Sequence, residues 1–463
     1  MFQKAPELLR LAWPSVGSLI LDQAAGLTTI FFVAALDDKY LLGSVGLGSM
    51  AQNVFGFSLG IGVNSALNTL VSQSKGAGRL DLCCISLQQA QVLCILVAFP
   101  SMLLMWRADA LFRAVGINPR TAQDAGLYVR GTIFVMPFHF LACATRSFLR
   151  AMQLPRPIFL VSTVVVICHP LWCFLLIHRW EKGAFGAGLT VTLSYGLNFL
   201  LLTSYVAIVR PGPCKEAWRI LPLELLSQKC RRTGVSDCDN SSFAAYLRVA
   251  LPSAVLMWAE WWAYEAMSLL AGLCGKTGLA AHTAACSVLL IVFQLPTGLG
   301  NATSAMVGHA IGAGSSTDAK SSLKVAVMLI LSTCLLVAVI LIPSRFFIAR
   351  LYTSDPDVLS TLELLCVILG LFQLFDGLQT VLESGLIGLG MQKAASRIKL
   401  LTMLVVRLGG AYVLSLPLAS GVVGIWVAGV VGMMVTVALY LCLLRRCNFE
   451  YLASSVQREL MSA

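Results

Sequence analysis

Two acidic side chains lie in apolar stretches that are long enough to cross a lipid bilayer. Glu260 is near the middle of residues 250–273, which read ALPSAVLMWAEWWAYEAMSLLAGL, and Asp376 lies in a later apolar run. A charge at the bilayer centre costs about 2.5–3.5 kcal/mol on insertion scales, so an acid there is a functional candidate. Because low dielectric favours the neutral form, such an acid binds a proton and releases it when a cation arrives. That competition is the minimal chemistry of cation–proton exchange.

Three residues close to Glu260 extend this candidate site. Tyr264 is four residues further on the same helix face, where its hydroxyl can bond the acid or its ring can stack on a cation. Glu265 is five residues on, about 140° round the helix, so we expect it to face a neighbouring helix. Trp261 either lines a cavity or faces lipid or another helix, since adjacent residues point about 100° apart.

A second group of polar residues lies in other apolar runs. Glu383 is seven residues after Asp376 and on the same helix face, and Arg407 is the only basic residue deep in a late span. A buried arginine needs a partner, which either acid can supply; if Asp376 does so, its role becomes structural. In the first half of the chain, Asp22 lines a cavity or stabilises a kink. Gln73 lines a cavity or joins two helices by hydrogen bonds.

The composition predicts a membrane protein that crosses the bilayer several times. The 463 residues are 58% hydrophobic and only 12% charged, against about 25% charged in soluble domains. The net charge of +11 does not indicate a nucleic-acid partner, because the basic residues lie between apolar spans, as topology signals do. The cysteines lack metal-ligand spacing, and the sequence has neither a phosphate-binding loop nor an enzyme motif. We therefore expect no metal, no cofactor and no enzymatic activity.

The hydropathy pattern predicts an all-α fold of twelve transmembrane helices. A polar segment at 210–245 separates an N-lobe, residues 1–209 with helices 1–6, from a C-lobe, residues 246–444 with helices 7–12. The predicted spans are 8–36, 42–72, 83–106, 124–147, 157–178, 184–209, 246–273, 281–307, 322–343, 361–387, 398–418 and 421–444. The excess of Lys and Arg on one side places both termini, the 210–245 loop and the 445–463 tail in the cytosol.

The two halves are predicted to be related by a parallel repeat. Pro14 and Pro252 open the first and seventh spans 238 residues apart, and Gly76 and Gly312 end the second and eighth 236 residues apart. An even number of spans separates the equivalent positions, so both halves have the same orientation. Transporters with such a repeat place the substrate site between the halves near the middle of the membrane.

Several stretches resemble the multidrug and toxic compound extrusion (MATE) transporters, and their eukaryotic branch most closely. They are SALNTLVSQSKGAG at 65–78, LPSAVLMWAEWWAYE at 251–265, PTGLGNATSAMVGHAIGAG at 296–314 and DGLQTVLESGLIGLGMQ at 376–392. The resemblance implies a secondary antiporter whose two six-helix lobes alternate in access. It also implies that Glu260 is the coupling acid on helix 7, that Asp376 is an acid on helix 10, and that Glu265 is a second acid on helix 7.

The chain departs from the family pattern at several positions. Asn68 stands where the family usually has an acid in the second-helix motif, and Ile387-Gly388 replaces an Arg-Gly pair. Thr29 stands where one prokaryotic branch has an aspartate. Asp22 lies seven residues from Thr29, on nearly the same helix face. The resemblance therefore implies a coupling site in the C-lobe, and it leaves open whether an N-lobe acid such as Asp22 takes part.

The expected function is the export of organic cations, drugs or metabolites in exchange for protons. One alternative is sodium coupling in the same fold, because sodium also binds oxygen ligands. The other is a lipid or oligosaccharide-lipid flippase, which would need a basic cavity for phosphate. The expected partners are a small organic cation or amphiphile and the lipid bilayer, with no nucleic acid. We expect a monomer in the plasma or vacuolar membrane.

Overall fold

The computed structural model describes residues 4–36, 38–114, 116–209 and 243–462. Helices joined by short turns make up this part of the chain, and no β-strand occurs among the described residues. The prediction of an all-α fold is therefore confirmed. Residues 210–242 of the predicted inter-lobe loop lie outside the described residues.

Each of the twelve predicted spans overlaps one long helix of the structure. By length and composition, ten helices of the described chain can cross a membrane, and the bent α4 makes eleven. The remaining predicted span overlaps α7, which has 31 residues and contains Glu260 and Glu265. The helices are α1 Lys4–Ala34, α2 Tyr40–Gly76, α3 Leu80–Trp106, α4 Pro119–Thr132 with Val135–Ala151 at 52°, α5 Arg156–Arg179, α6 Gly183–Val209, α7 Phe243–Leu273, α8 Lys276–Gly312, α9 Ser316–Leu341, α10 Pro356–Gly388, α11 Gln392–Ser415, α12 Gly421–Arg446 and the tail helix α13 Phe449–Ser462.

Helices α4 and α10 begin with the same kind of N-terminal cap. Asn118 caps α4 by accepting a hydrogen bond from the Arg120 amide at 3.0 Å, and Pro119 follows as the first helical residue. Asp355 caps α10 in the same way, 3.0 Å from the amide of Asp357. Such caps satisfy amide groups that the helix leaves free, and proline loses nothing at that position.

Matching helix ends support the predicted repeat. Gln153 after α4 and Gly390 after α10 both have positive φ, at 58° and 80°. At both ends the next residue's amide bonds back to a carbonyl five residues earlier. This is the Schellman arrangement that closes many helices. The two ends are 237 residues apart, so the repeat is present in backbone geometry as well as in sequence.

The described chain divides into two compact units. The N unit consists of residues 17–209, 243–254 and 458–462, and the C unit of residues 4–16 and Val255–Gln457. Within the N unit, α4 and α6 cross at Gly131 and Gly188, where a Cβ on Gly188 would lie 3.0 Å from the Cα of Gly131. Small residues at such crossings let membrane helices pack closely. The core of the C unit surrounds the buried rings of Phe372 and Trp426. The predicted lobe boundaries remain a prediction.

Candidate functional site

A buried lysine joins two carboxylates inside the C unit. Glu260 from α7 is 8% exposed, and Lys399 from α11 is 1% exposed. The Lys399 Nζ atom lies 2.8 Å from Glu260 Oε2 and 2.9 and 2.8 Å from the two carboxylate oxygens of Glu383 on α10. Three helices thus place one ammonium group between two acids. We call Glu260, Glu383 and Lys399 the C-unit triad.

Glu383 is the more firmly held acid of the C-unit triad. Both of its oxygens contact Lys399, and the Tyr440 hydroxyl on α12 lies 3.4 Å from its Oε2 atom. That hydroxyl also lies 3.3 Å from the carbonyl oxygen of Ala395, and the Tyr440 side chain is fully buried. Because each oxygen has a partner, Glu383 has the coordination of a fixed structural anion.

Glu260 is only half coordinated. Its Oε2 atom contacts Lys399, whereas its Oε1 atom is buried and has no hydrogen-bond partner among the described residues. Lys399 contacts three of the four carboxylate oxygens of the triad, and Glu260 Oε1 is not among them. The Oε1 atom is therefore the one carboxylate oxygen of the triad that is free to bind a proton or a cation.

Arg407 is held by aromatic rings and sulfur atoms. Its guanidinium lies 4.2 Å above the ring of Tyr264 and 5.5 Å from that of Phe372. The Nε atom is 3.2 Å from the Met267 sulfur, and Nη1 is 3.4 Å from the Met403 sulfur. Arg407 is 0% exposed and lies in a π-helical stretch of α11, Thr402–Gly409. Such stretches are frequent at functional sites.

The structure contradicts the prediction that Asp376 or Glu383 is the partner of Arg407. Neither Asp376 nor Glu383 forms an ion pair with Arg407 in the described chain, because Lys399 takes Glu383. One of the two expectations for Tyr264 was that its ring stacks on a cation. The ring does so, but the cation is the protein's own Arg407. The Tyr264 hydroxyl has no hydrogen-bond partner in the described part, so it does not bond Glu260.

Asp376 lies close to this cluster without direct contacts. It is 0% exposed, and neither carboxylate oxygen has a hydrogen-bond partner among residues 4–36, 38–114, 116–209 and 243–462. It interacts electrostatically with Glu260, Arg407, Lys399 and Glu383. Asp376 is therefore a buried acid at longer range from two fixed cations, and it retains two oxygens that can bind a proton.

The other acids and aromatic residues predicted around Glu260 lie outside the C-unit triad. Glu265 and Trp261 are half-buried. Glu265 forms no ion pair within the described residues, and it is absent from the charges that act on Lys399. Gln73 is buried on α2 of the N unit. These positions remain predictions as site residues.

The N unit contains a different polar cluster, which we call the N-unit triad: Asp22, Arg146 and Ser162. Arg146 Nη1 lies 2.5 Å from Asp22 Oδ2, and Nη2 lies 3.2 Å from Oδ1. The Ser162 hydroxyl lies 3.2 Å from Asp22 Oδ1 and 3.0 Å from Arg146 Nη2. Both oxygens of Asp22 are therefore occupied by a two-pronged contact with an internal cation.

Sequence reasoning missed Lys399 and Tyr440 and misread Arg146. Lys399 is the second residue of the predicted span 398–418, where basic residues usually serve as topology signals. Arg146, near the end of the predicted span 124–147, has the position of such a signal, yet its side chain is buried against Asp22. The available signal was electrostatic, because acids inside apolar spans need internal cations.

Helices able to span a membrane, repeated in two halves around buried ionised side chains, define a polytopic membrane transport protein. The MatE family model matches residues 14–175 and 252–413, once in each half. The chain belongs to the MatE family. The two matches start 238 residues apart, which agrees with the repeat.

Curated relatives and solved structures agree with that assignment. The chain is 28% identical over 422 residues to "Multidrug and toxin extrusion protein 1" of Danio rerio, covering 91% of this chain and 68% of the relative. It is 27% identical to "Protein DETOXIFICATION 16" of Arabidopsis thaliana, covering 94% and 86%. The fold matches the crystal structure of the eukaryotic MATE transporter AtDTX14 with a TM-score of 0.90, 22% identity and 99% coverage of both chains. These relatives and neighbours are transporters and not enzymes.

Proposed function

We propose that this protein is a secondary antiporter that exports small organic cations or amphiphiles, including drugs and metabolites, in exchange for protons. The observation that carries the proposal is the Glu260 carboxylate, which is buried in the C unit and keeps one oxygen without a partner among the described residues. The names of the curated relatives, which refer to multidrug and toxin extrusion, support export as the direction.

The exchange follows from competition for one negative charge. A proton on Oε1 neutralises Glu260, and an organic cation at the same oxygen does so as well. Both cannot bind strongly at once, because either one removes the charge that attracts the other. A proton that enters from one side of the membrane thus displaces the cation toward that side. Asp376, with two oxygens that lack protein partners, provides a second proton acceptor within electrostatic range of Glu260.

Sodium coupling is a second candidate that one feature of the site favours. Glu260 Oε1 and both oxygens of Asp376 lack hydrogen-bond partners in the described chain, and sodium binds such oxygen ligands. A lipid or oligosaccharide-lipid flippase is less well supported. The three acids around Lys399 and Arg407 outnumber the two cations, which opposes the binding of a phosphate headgroup.

Transport in proteoliposomes tests the proposal. Purified protein is reconstituted, and uptake of tetraethylammonium is measured with a proton gradient and a sodium gradient imposed separately. We expect uptake with the proton gradient alone, and we expect Glu260→Gln to abolish it. Glu450→Gln is the matched control, since it makes the same change at an exposed residue of α13. Full exchange by Glu260→Gln, or uptake with sodium only, would contradict proton coupling at this acid.

The remaining expectations belong to the same proposal. We place the protein in the plasma or vacuolar membrane as a monomer with both termini in the cytosol. Labelling of cysteines introduced near residue 4 and residue 460 in intact cells checks the orientation. Protection of both positions until the membrane is opened is the expected result.

A further inference from the structure

The C-unit triad carries an unequal number of positive and negative charges. Glu260 and Glu383 contribute two carboxylates, whereas Lys399 contributes one ammonium group that contacts both. Asp376 and Arg407 lie within electrostatic range but are not members of the triad. With both of its acids ionised, the triad itself carries a net charge of one negative unit.

The unsatisfied charge is located on Glu260. Glu383 has partners at both oxygens, from Lys399 and Tyr440, whereas Glu260 has a partner at Oε2 alone. Lys399 contacts Glu260 at Oε2 and not at Oε1. Glu265 forms no ion pair within the described residues, and it is not a member of the triad to which this count applies.

We propose that Lys399 sets the charge selectivity of the cation site, so that the site accepts one positive charge and discriminates against two. This inference deepens the proposed function and rests on its assignment of Glu260 as the cation-binding acid. Lys399 acts as a tethered internal cation that permanently neutralises one of the two carboxylates. The remaining negative unit matches a monovalent organic cation or a single proton. Lys399 is therefore a positioning residue and does not itself bind the substrate.

Removal of the lysine charge should change the preference of the site. Lys399→Met keeps an apolar stem of similar length and leaves two neighbouring carboxylates without their shared cation, so that one of them binds a proton unless a second positive charge is present. A dication then gains an additional favourable interaction that a monocation cannot make. Unit charges about 4 Å apart interact strongly even at an effective dielectric constant of about 20. A rise of at least about tenfold in the dication-to-monocation affinity ratio is therefore expected.

The probes are two compounds with the same six-carbon chain. Hexyltrimethylammonium carries one quaternary ammonium group, and hexamethonium carries one at each end of the same six-carbon chain. Equilibrium binding of each to the purified full-length protein is measured at one pH by calorimetry. The ratio of the two affinities is taken within each variant. It does not depend on the fraction of protein that is folded, because both affinities come from the same sample.

Two further variants separate charge from packing. Lys399→Arg retains the positive charge and should keep the preference for the monocation. The double variant Lys399→Met with Glu383→Gln returns the triad to one negative unit, the carboxylate of Glu260. It should restore the wild-type affinity ratio. It also provides a second measurement if Lys399→Met alone does not fold.

The outcomes distinguish the inference from the proposed function. The inference is supported if the dication-to-monocation affinity ratio is raised in Lys399→Met and falls back to the wild-type value in the double variant. The same ratio in wild type, Lys399→Met and the double variant would overturn it and reduce Lys399 to a packing residue. Because binding is measured without a gradient, a protein that binds both cations but shows no proton-driven uptake refutes only the proton coupling.

Discussion

The N-unit and C-unit triads occupy equivalent positions in the repeat but differ in charge. Asp22 and Glu260 are 238 residues apart, while Arg146 and Glu383, like Ser162 and Lys399, are 237 residues apart. Each triad therefore takes one residue from the first, fourth and fifth helix of its half. The repeat conserves the location of three polar side chains, and the residue types at those locations decide the chemistry.

The consequence of this difference is that only one triad can exchange a charge. In the N-unit triad, one carboxylate meets one guanidinium, both oxygens of Asp22 are occupied, and the net charge is zero. In the C-unit triad, the central cation is shared between two acids, and Glu260 keeps an oxygen without a protein partner in the described chain. The first arrangement is closed, and the second is open to a proton or a cation.

The same contrast extends to the surrounding residues. His169 lies seven residues after Ser162 on α5, and Arg407 lies eight residues after Lys399 on α11, so their positions in the repeat differ by one residue. The two ring nitrogens of His169 lie 2.8 Å from the Thr29 hydroxyl and 2.7 Å from the Ser194 hydroxyl. The imidazole thus has hydrogen-bonding partners at both positions, whereas Arg407 has no carboxylate and one nitrogen, Nη2, without a partner among the described residues.

The largest expected effect is the loss of stability when the closed triad is broken. Arg146→Met leaves the half-buried Asp22 carboxylate with only the Ser162 hydroxyl as a partner. Removing one member of a fully buried ion pair typically costs about 3–5 kcal/mol, and the cost here is smaller because water reaches part of Asp22. We expect a clearly lower midpoint of thermal unfolding for the purified protein in detergent. The double variant with Asp22→Asn should recover most of this loss, since no buried ion remains.

The open triad provides the comparison for that experiment. Glu260→Gln leaves Lys399 paired with both oxygens of Glu383, so the remaining pair is balanced. Its cost in stability should stay within about 1 kcal/mol, although transport is lost. If Glu260→Gln destabilised the protein as much as Arg146→Met, the C-unit triad would be a structural ion pair like its N-unit counterpart.

The sequence predicted the helices and the acids but not the partners of those acids. Long apolar runs determine the spans because a bilayer demands them, and each of the twelve overlaps a helix of the structure. The pairings depend on residues far apart in the chain. Asp22 and Arg146 are separated by 124 residues, and Glu260 and Lys399 by 139, so no local pattern indicates them.

Arg407 shows a second reason why the site was only partly predictable. A buried arginine was expected to take a carboxylate, which is the usual compensation. Two aromatic rings and two sulfur atoms hold it in the structure instead. This compensation depends on where α7, α10 and α11 bring Tyr264 and Phe372 in three dimensions. The spacing of charged residues contains no information about it.

A smaller effect is expected where α12 packs closely against Arg407. A Cβ on Gly432 would lie 2.9 Å from the Arg407 Cβ atom and 3.3 Å from its Cα atom. Gly432→Ala should therefore displace Arg407 and cost about 1–3 kcal/mol, the usual range for overpacking a core. Thermal unfolding in detergent measures the change. His169 in the N unit is positioned by hydrogen bonds, so this sensitivity to packing is a property of the C unit.

Gly409→Ala is the control for the overpacking experiment. A Cβ at Gly409 would meet only the Leu404 carbonyl oxygen, at an ordinary contact distance of 3.7 Å. Both substitutions bring the same gain in helix propensity, so the difference between them reports the clash alone. Equal unfolding midpoints for the two variants would show that Arg407 moves freely and that packing does not fix it.

The smallest expected effect concerns the ring beneath Arg407, for which the N unit has no equivalent. The position 238 residues before Tyr264 is Gly26, which has no side chain. Tyr264→Leu removes the ring 4.2 Å from the guanidinium and should lower stability by about 1 kcal/mol, within the range of about 0.5–2 kcal/mol for cation–π contacts. Tyr264→Phe keeps the ring and removes only a hydroxyl that lacks a hydrogen-bond partner in the described chain, so its unfolding midpoint should match that of wild type.

If Tyr264→Phe keeps its stability but loses proton-driven uptake, the hydroxyl belongs to the exchange site, and the open region of the C unit extends from Glu260 to Tyr264. If Tyr264→Leu is as stable as wild type, the ring does not compensate the buried charge of Arg407. The contrast with the N unit would then rest on the triads alone.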